Sequence, residues 1–253
     1  MSAVAKPRVV IIGAGGVIGN VLWKAWEEEG QYELTLVDKR TITGARSRTE
    51  IGDVCDPDFA AKVFGNQDVL VHLVLIQPDN VGPRTTELTD IGLCMRLWET
   101  AREAGIGKIV YASSNRVTMQ NEHLGGPPVF STADQYNPCG WYGAMKGMAE
   151  IGGKLLANTH GMRFIAIRVG TFHGQSEPDC LRFCSTLLSP RDGVQLFGLA
   201  VDYEGPEKFI VTYGASGNND GPHRSFLDIS QAVEILGYAP QDNMMKYRDQ
   251  FPE

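Results

Sequence analysis

The residues of this chain best suited to acid–base chemistry are Ser114, Tyr142 and Lys146. Tyr142 and Lys146 are four positions apart, so on a helix they would share one face. A phenol ordinarily has a pKa of about 10, and a neighbouring ammonium group favours its ionised form. The pair could therefore take a proton from a hydroxyl group near neutral pH while Ser114 steadies the reacting oxygen. We predict that these three residues are catalytic. Taken alone, a Tyr-x-x-x-Lys pair is usually two solvated side chains on a helix surface with no catalytic role.

A glycine-rich segment, Gly13-Ala-Gly-Gly-Val-Ile-Gly19, separates the first apolar run from a helical pattern. Glycines let a backbone turn tightly and approach a pyrophosphate, and the helix that follows directs its amides and its positive dipole end at the phosphates. A plain tight turn is the alternative interpretation of such a motif. The predicted dinucleotide contacts in this segment are Gly13, Gly16, Val17, Ile18 and Gly19.

Asp38 ends the second apolar run, where a ribose-binding acid is expected after such a glycine motif. Its carboxylate could accept hydrogen bonds from both hydroxyls of the adenine ribose and would repel a 2′-phosphate, which favours NAD over NADP. Lys39 and Arg40 keep NADP open, and an acid that only begins a turn is the simpler alternative. NAD is the predicted cofactor, with Asp38 and Lys39 among its contacts.

Apolar runs alternate with helical patterns through the first two thirds of the chain, which favours an α/β fold with a doubly wound, mostly parallel sheet of the Rossmann type. Ligands bind at the carboxyl ends of the strands in such a sheet, and Ser114 follows a predicted strand. Strands are predicted at 9–12, 34–37, 47–51, 69–73, 109–112, 164–167 and 209–212, and helices at 17–28, 57–64, 90–104, 142–158, 179–188 and 229–236. We expect one domain, with 1–170 as dinucleotide-binding core and 171–253 mostly as a small substrate-binding cap.

The bulk composition argues against several classes of partner. The formal net charge is -7 and the basic residues are scattered, so no surface is expected to attract nucleic acid. The longest apolar stretches, 9–12 and 69–76, are too short to cross a membrane. Without a leader-like N-terminus, and with five cysteines in no CxxC pair, we expect a cytoplasmic protein with reduced thiols. No metal is predicted, because the histidines lack ligand spacing and Cys180 and Cys184 lack a third ligand.

At these motifs the chain resembles the extended short-chain dehydrogenase/reductase family, in its NAD-dependent epimerase/dehydratase branch. The glycines at 13, 16 and 19 match the GxxGxxG of that family. The resemblance implies an adenine-contacting pair, a contact at the end of the fourth strand and contacts near the nicotinamide. These further cofactor contacts are Asp53, Val54, Leu73, Val74, Tyr142, Lys146 and Thr171.

Within that branch the chain is most similar to the uronate dehydrogenases, which oxidise the anomeric carbon of hexuronic acids with NAD to a lactone. The similar stretches are VYASSNR, WYGAMK, IRVGT, RFCSTLLS and LGYAPQDN. The resemblance implies that Ser114 and Asn115 contact the sugar and that Arg182 binds its carboxylate, a group that the planar guanidinium fork matches. From the residues alone, a solvated Arg182 is equally expected. The resemblance also implies a homo-oligomer.

Two departures from the uronate enzymes bear on the substrate. Arg116 stands where they have a histidine, and Gln77 where they have a serine, so both side chains near the sugar are larger. A second guanidinium could favour a phosphate or a second carboxylate, or Arg116 could pair with a neighbouring acid and touch no ligand. The predicted substrate-binding residues are Gln77, Ser114, Asn115, Arg116, Tyr142 and Arg182.

The leading hypothesis is therefore an NAD-dependent dehydrogenase that oxidises a small anionic sugar such as a hexuronate, with Tyr142 as the base. A sugar-phosphate dehydrogenase, for example acting on glucose 6-phosphate, is one alternative. A nucleotide-sugar epimerase is another, although such enzymes usually need a larger C-terminal lobe. A dehydratase would need an acid pair where Asn115 and Arg116 stand. A dinucleotide-sensing regulator has little reason to keep all three catalytic residues.

Overall fold

A seven-stranded parallel sheet lies at the centre of the computed structural model, which describes residues 5–74, 83–123, 129–220 and 223–251. Its strands are β1 (Arg8–Ile12), β2 (Glu33–Asp38), β3 (Arg48–Ile51), β4 (Val69–His72), β5 (Lys108–Ser114), β6 (Arg163–Val169) and β7 (Phe209–Gly214). They lie in the order β3-β2-β1-β4-β5-β6-β7. This is the order of a doubly wound dinucleotide-binding fold, so the predicted fold class is confirmed.

Helices cover both faces of the sheet. They are α1 (Val17–Glu29), α2 (Pro57–Phe64), α3 (Pro83–Glu103), α4 (Gln120–His123), α5 (Gly140–His160), α6 (Leu181–Thr186) and α7 (Pro190–Asp202). Successive side chains of β1 point to opposite faces of the sheet and so belong to two separate parts of the core. Val9 and Ile11 pack with residues of α1 and α7, whereas Val10 and Ile12 pack with residues of α2, α3 and α5. A strand buried on both faces is apolar throughout, which explains the continuous apolar run in the sequence.

The sheet continues beyond residue 170, where the sequence predicted mostly a cap. Strand β7 pairs in parallel with β6, and α7 packs beside α1 on the same layer. The sequence analysis missed α7, although Ser189 accepts a hydrogen bond from the amide of Asp192 as its N-cap and Pro190 occupies its first turn. The helix predicted at 229–236 is a short π-helical segment, Ala232–Leu236.

The remaining C-terminal elements are small. A two-stranded ribbon joins β8 (Asn219–Asp220) to β9 (His223–Arg224), and a 3-10 helix, Met245–Gln250, packs against α6. None of the helices that the structure describes has the length and apolarity needed to cross a bilayer.

Helix α5 carries a stripe of apolar side chains that face away from the sheet. Trp141, Met148, Ile151 and Leu155 are exposed, and they recur at helical spacing. Such a stripe is typical of a surface that another chain covers. The homo-oligomer stays a prediction, which this stripe supports.

Candidate active site

The glycine segment forms a tight turn between β1 and α1. Gly13 has a φ of +82°, and a Cβ added to it would lie 3.1 Å from the amide nitrogen of Val74. A Cβ on Gly19 would lie 2.5 Å from the carbonyl oxygen of Gly13, so this helix can meet the turn only with glycine there. Gly16 is the N-cap of α1 and offers its amides no side-chain cap. The turn thus has the open backbone and the amides that fit a bound dinucleotide.

Asp38 lies directly against this turn, at the end of β2. Its Oδ2 accepts a hydrogen bond from the amide of Gly15 at 2.9 Å, and a Cβ on Gly15 would lie 3.0 Å from the Asp38 carboxyl carbon. Its Oδ1 accepts from the amide and from the Nε of Arg40, at 3.0 and 3.2 Å. Lys39 instead pairs with Asp53 at 3.1 Å. The structure therefore brings the predicted ribose acid to the glycine turn and holds Arg40 beside it.

The other predicted cofactor residues line the same edge of the sheet. The amide of Leu73 donates to the carbonyl of Ile12, which places the end of β4 beside the turn. Val54 is buried. Partial burial of the Asp53 carboxyl opposes its ionisation, but hydrogen bonds from Cys55 and Lys39 outweigh that effect and hold its pKa below the ordinary value.

Replacing Asp38 by Ala should shift the cofactor preference from NAD towards NADP. The change removes an acceptor for the ribose hydroxyls and a negative charge that repels a 2′-phosphate, and it releases the Arg40 guanidinium. A hydrogen bond to a charged group contributes about 1.5–3 kcal/mol, so the ratio of kcat/KM for NAD to that for NADP should fall at least about tenfold. Asp38→Asn is the matched control, which keeps the size of the side chain but removes its charge and replaces one acceptor oxygen by an NH2 donor. An unchanged ratio in Asp38→Ala would contradict the assignment.

Ser114 is the last residue of β5, a strand that is buried along its whole length. Its Oγ accepts a hydrogen bond from the amide of Arg116 at 3.2 Å and so caps a 3-10 turn, Asn115–Val117. Asn115 is 3% exposed, and its Nδ2 has no hydrogen-bond partner among the residues that the structure describes. A buried donor without a partner is a group that a ligand can satisfy.

Lys146 ties α5 to the strand that ends at Ser114. It is buried, and its Nζ donates to the carbonyl of Ala112 in β5 at 2.9 Å. The same Nζ lies 5.7 Å from the centre of the Tyr142 ring and 4.5 Å from that of Tyr111. The ammonium group is thus fixed near the phenol, as the spacing of four residues requires.

The start of α5 packs onto the turn that follows Ser114. A Cβ on Gly143 would lie 2.3 Å from the carbonyl oxygen of Arg116, and the same oxygen accepts from the amide of Cys139 at 3.1 Å. The Arg116 guanidinium carbon lies 5.9 Å from the centre of the Tyr142 ring. Sequence reasoning missed Gly143, because nothing in the pattern WYGAMK shows which backbone it approaches.

Sequence reasoning also missed a buried ion pair next to the predicted catalytic residues. Glu150 accepts from the Ser113 hydroxyl at 2.5 Å and pairs with Arg168 at 2.9 Å, and both charged groups are at most 2% exposed. Burial opposes the charge on Arg168, but the hydrogen bond and charge of Glu150 outweigh it and raise the pKa of the guanidinium. The available signals were an arginine in an apolar strand and a glutamate four residues after Lys146.

His72, the last residue of β4, is a buried neutral imidazole ring. Its Nδ1 accepts from the Trp98 indole at 2.9 Å, so its other nitrogen, 3.1 Å from the carbonyl of Val74, carries the hydrogen. Burial, with a smaller contribution from the charge of Lys146, lowers its pKa to about 3.

Arg182 is paired with a carboxylate of the chain itself. Its Nε and Nη2 donate to the two carboxylate oxygens of Glu122 in α4, at 3.0 and 3.1 Å. Its guanidinium carbon lies 5.9 Å from the centre of the Phe226 ring. Sequence reasoning weighed a solvated and a ligand-bound Arg182, and neither alternative included this partner.

Thr171 lies in the segment after β6, at the carboxyl edge of the sheet. Its Oγ1 is 2.8 Å from that of Thr186, and its amide donates to the carbonyl of the same residue. Further along, a Cβ on Gly174 would lie 3.2 Å from Val17, so this segment reaches the first turn of α1. The remaining predicted substrate contact, Gln77, lies outside the described residues.

Several dehydrogenases are similar to this chain over most of its length. L-arabinose 1-dehydrogenase (NAD(P)(+)) of Haloferax volcanii is 26% identical over 255 residues, covering 93% of this chain and 97% of the relative. Uronate dehydrogenase of Agrobacterium fabrum is 28% identical over 252 residues, covering 97% and 89%. The crystal structure of a glucuronic acid dehydrogenase from Chromohalobacter salexigens superposes with a TM-score of 0.81 at 25% identity, covering 98% of this chain and 89% of that one.

A family model described as the NAD dependent epimerase/dehydratase family matches residues 9–190, which is well over half of the chain. The matched region includes the glycine turn, Asp38, Ser114, Tyr142 and Lys146. The prediction of an NAD-dependent oxidoreductase is thereby confirmed. The chain belongs to the NAD-dependent epimerase/dehydratase family.

Proposed function

We propose that the chain uses NAD to oxidise the anomeric carbon of a small anionic sugar, in the first place a hexuronate, to a lactone. The observation that carries the proposal is the junction between α5 and β5: Lys146 is hydrogen-bonded to β5 and lies beside the Tyr142 ring, while the turn after Ser114 packs on the start of the same helix. Relatives named for the oxidation of arabinose, of uronates and of glucose 6-phosphate support this class of reaction.

The residues around the glycine turn would hold the cofactor. Gly13, Gly16 and Gly19 leave room for the pyrophosphate, and Asp38 would accept the hydroxyls of the adenine ribose. When bound, NAD supplies the acceptor for the hydride that leaves the anomeric carbon. The reaction requires no second cofactor, because the sugar loses only a hydride and a proton.

Side chains of the protein would accept the proton and stabilise the developing carbonyl group. Tyr142, as phenolate, takes the proton of the anomeric hydroxyl, and the Lys146 ammonium stabilises the phenolate by its charge. The Ser114 hydroxyl donates to the same oxygen as it becomes a carbonyl. The Nδ2 of Asn115 is a buried donor next to Ser114 and would bind a hydroxyl of the sugar.

The proposal is tested by following NADH absorbance with galacturonate, glucuronate, glucose 6-phosphate and L-arabinose as substrates. We expect NADH formation with a uronate, and a turnover that is at least about a hundredfold lower in Lys146→Met, which keeps the volume of the side chain but loses the ammonium group. Protein without sugar is the blank. If no aldose, uronate or sugar phosphate yields NADH, the proposed function is wrong.

A further inference from the structure

We infer that Arg116, and not Arg182, binds the anionic group of the sugar. The inference rests on the proposed function and names the residue that gives it specificity. It reverses the role that the resemblance to the uronate dehydrogenases implies for Arg182.

The charge of Arg182 is already compensated within the chain. Glu122 occupies two of its N–H groups in a two-pronged pair, and the two side chains are only 32% and 14% exposed. A substrate carboxylate would have to displace Glu122, which would then be left partly buried without a partner, or approach a pair with no net charge. Either event removes most of the attraction that a lone guanidinium offers.

The charge of Arg116, in contrast, has no counterion among the side chains that the structure describes. Its guanidinium makes no ion pair with any part of the chain that the structure describes, and the residue is exposed beside the Tyr142 ring. Its backbone is fixed, because its amide donates to Ser114 and its carbonyl accepts from Cys139. A fixed backbone, a long side chain and free N–H donors next to the proposed base suit the binding of a carboxylate on the same sugar.

The balance of charge also separates two classes of substrate. Arg182 is neutralised by Glu122, whereas Arg116 has no ion-pair partner within residues 5–74, 91–122, 129–219 and 223–251, so the two arginines together offer a single positive charge. A hexuronate carries one negative charge, which one guanidinium can match with two parallel hydrogen bonds. A phosphate ester carries nearly two at neutral pH and would leave one unmatched. The site thus favours a sugar monocarboxylate over a sugar phosphate.

The test compares galacturonate with galactose, which differ only at the carbon that bears the carboxylate. The measured quantity is the ratio of kcat/KM for galacturonate to that for galactose, in the wild type, in Arg116→Gln and in the double variant Glu122→Gln, Arg182→Gln. The double variant removes both charges of the pair together and so leaves no buried charge unpaired. We expect the ratio to fall at least about tenfold in Arg116→Gln, to recover in part in Arg116→Lys, and to stay within about threefold of the wild type in the double variant.

A ratio that is unchanged in Arg116→Gln, or that falls as far in the double variant as in Arg116→Gln, would overturn the inference. These outcomes differ from a failure of the proposed function, in which the wild type forms no NADH from any sugar. A higher kcat/KM for glucose 6-phosphate than for galacturonate in the wild type would overturn the conclusion about substrate charge.

Discussion

Replacement of Tyr142 by Phe is expected to lower kcat by about a thousandfold while leaving the affinity for NAD within about threefold of the wild type. The substitution removes one oxygen and keeps the ring, whose centre lies 5.7 Å from the Lys146 Nζ and 5.9 Å from the Arg116 guanidinium carbon. General acid–base catalysis by a positioned side chain contributes about 10²–10⁴ to a rate, and the proposed mechanism gives this task to the phenol alone. The measurements are initial rates at saturating sugar and titration calorimetry with NAD.

The control for this variant removes the hydroxyl group of a different tyrosine. The Tyr203 hydroxyl is exposed and bonds Glu207 at the end of α7, so Tyr203→Phe should keep kcat within about threefold. A Tyr142→Phe enzyme that retains more than a tenth of the wild-type kcat would show that the base is another group. Loss of NAD binding in that variant would instead show that the Tyr142 hydroxyl is needed to form the cofactor site.

The second large effect is expected on stability, from Glu150→Gln. The substitution leaves Arg168 as a buried charge without its partner, and removing one member of a buried pair typically costs about 3–5 kcal/mol in the free energy of unfolding. Ser113, which donates to Glu150, precedes Ser114, so turnover should fall as well. Urea denaturation at equilibrium, followed by circular dichroism, gives the free energy directly.

Two further variants show whether the loss comes from the unpaired charge. Combining Glu150→Gln with Arg168→Met removes the charge as well as its partner and should restore most of the lost stability. Glu50→Gln breaks more exposed pairs with Arg48 and Lys62 and should cost less than about 1 kcal/mol. A loss below about 1 kcal/mol in Glu150→Gln itself would mean that the substitution does not leave Arg168 as an unpaired buried charge.

The first half of the fold could be predicted from the sequence because its signals are local. A strand buried on both faces reads as a continuous apolar run, the glycines mark the turn after β1, and Asp38 marks the end of β2. Which strands pair with one another in the sheet could not be predicted in the same way. The pattern of β7 predicts a strand but not the strand it pairs with, and so the extent of the sheet beyond residue 170 did not follow from it.

The same limit separates the predicted from the missed residues of the site. Tyr142 and Lys146 were found because their relation is contained in one helical turn and its chemistry is plain. Arg182 and Glu122 are 60 positions apart, and Glu150 meets Ser113 across 37. Charges that meet across such distances depend on how elements pack, which hydrophobic periodicity does not encode.

The strand order bears on how the molecule assembles during synthesis. Within the seven-stranded sheet, each strand after β1 pairs with one that precedes it in the chain: β2 and β4 with β1, β3 with β2, β5 with β4, β6 with β5 and β7 with β6. A chain that emerges from the ribosome N-terminus first can therefore add every strand of this sheet to an edge that already exists. The part of the sheet that surrounds the glycine turn can form before Tyr142 has been translated, and no strand of the seven-stranded sheet must wait for a later one to be made.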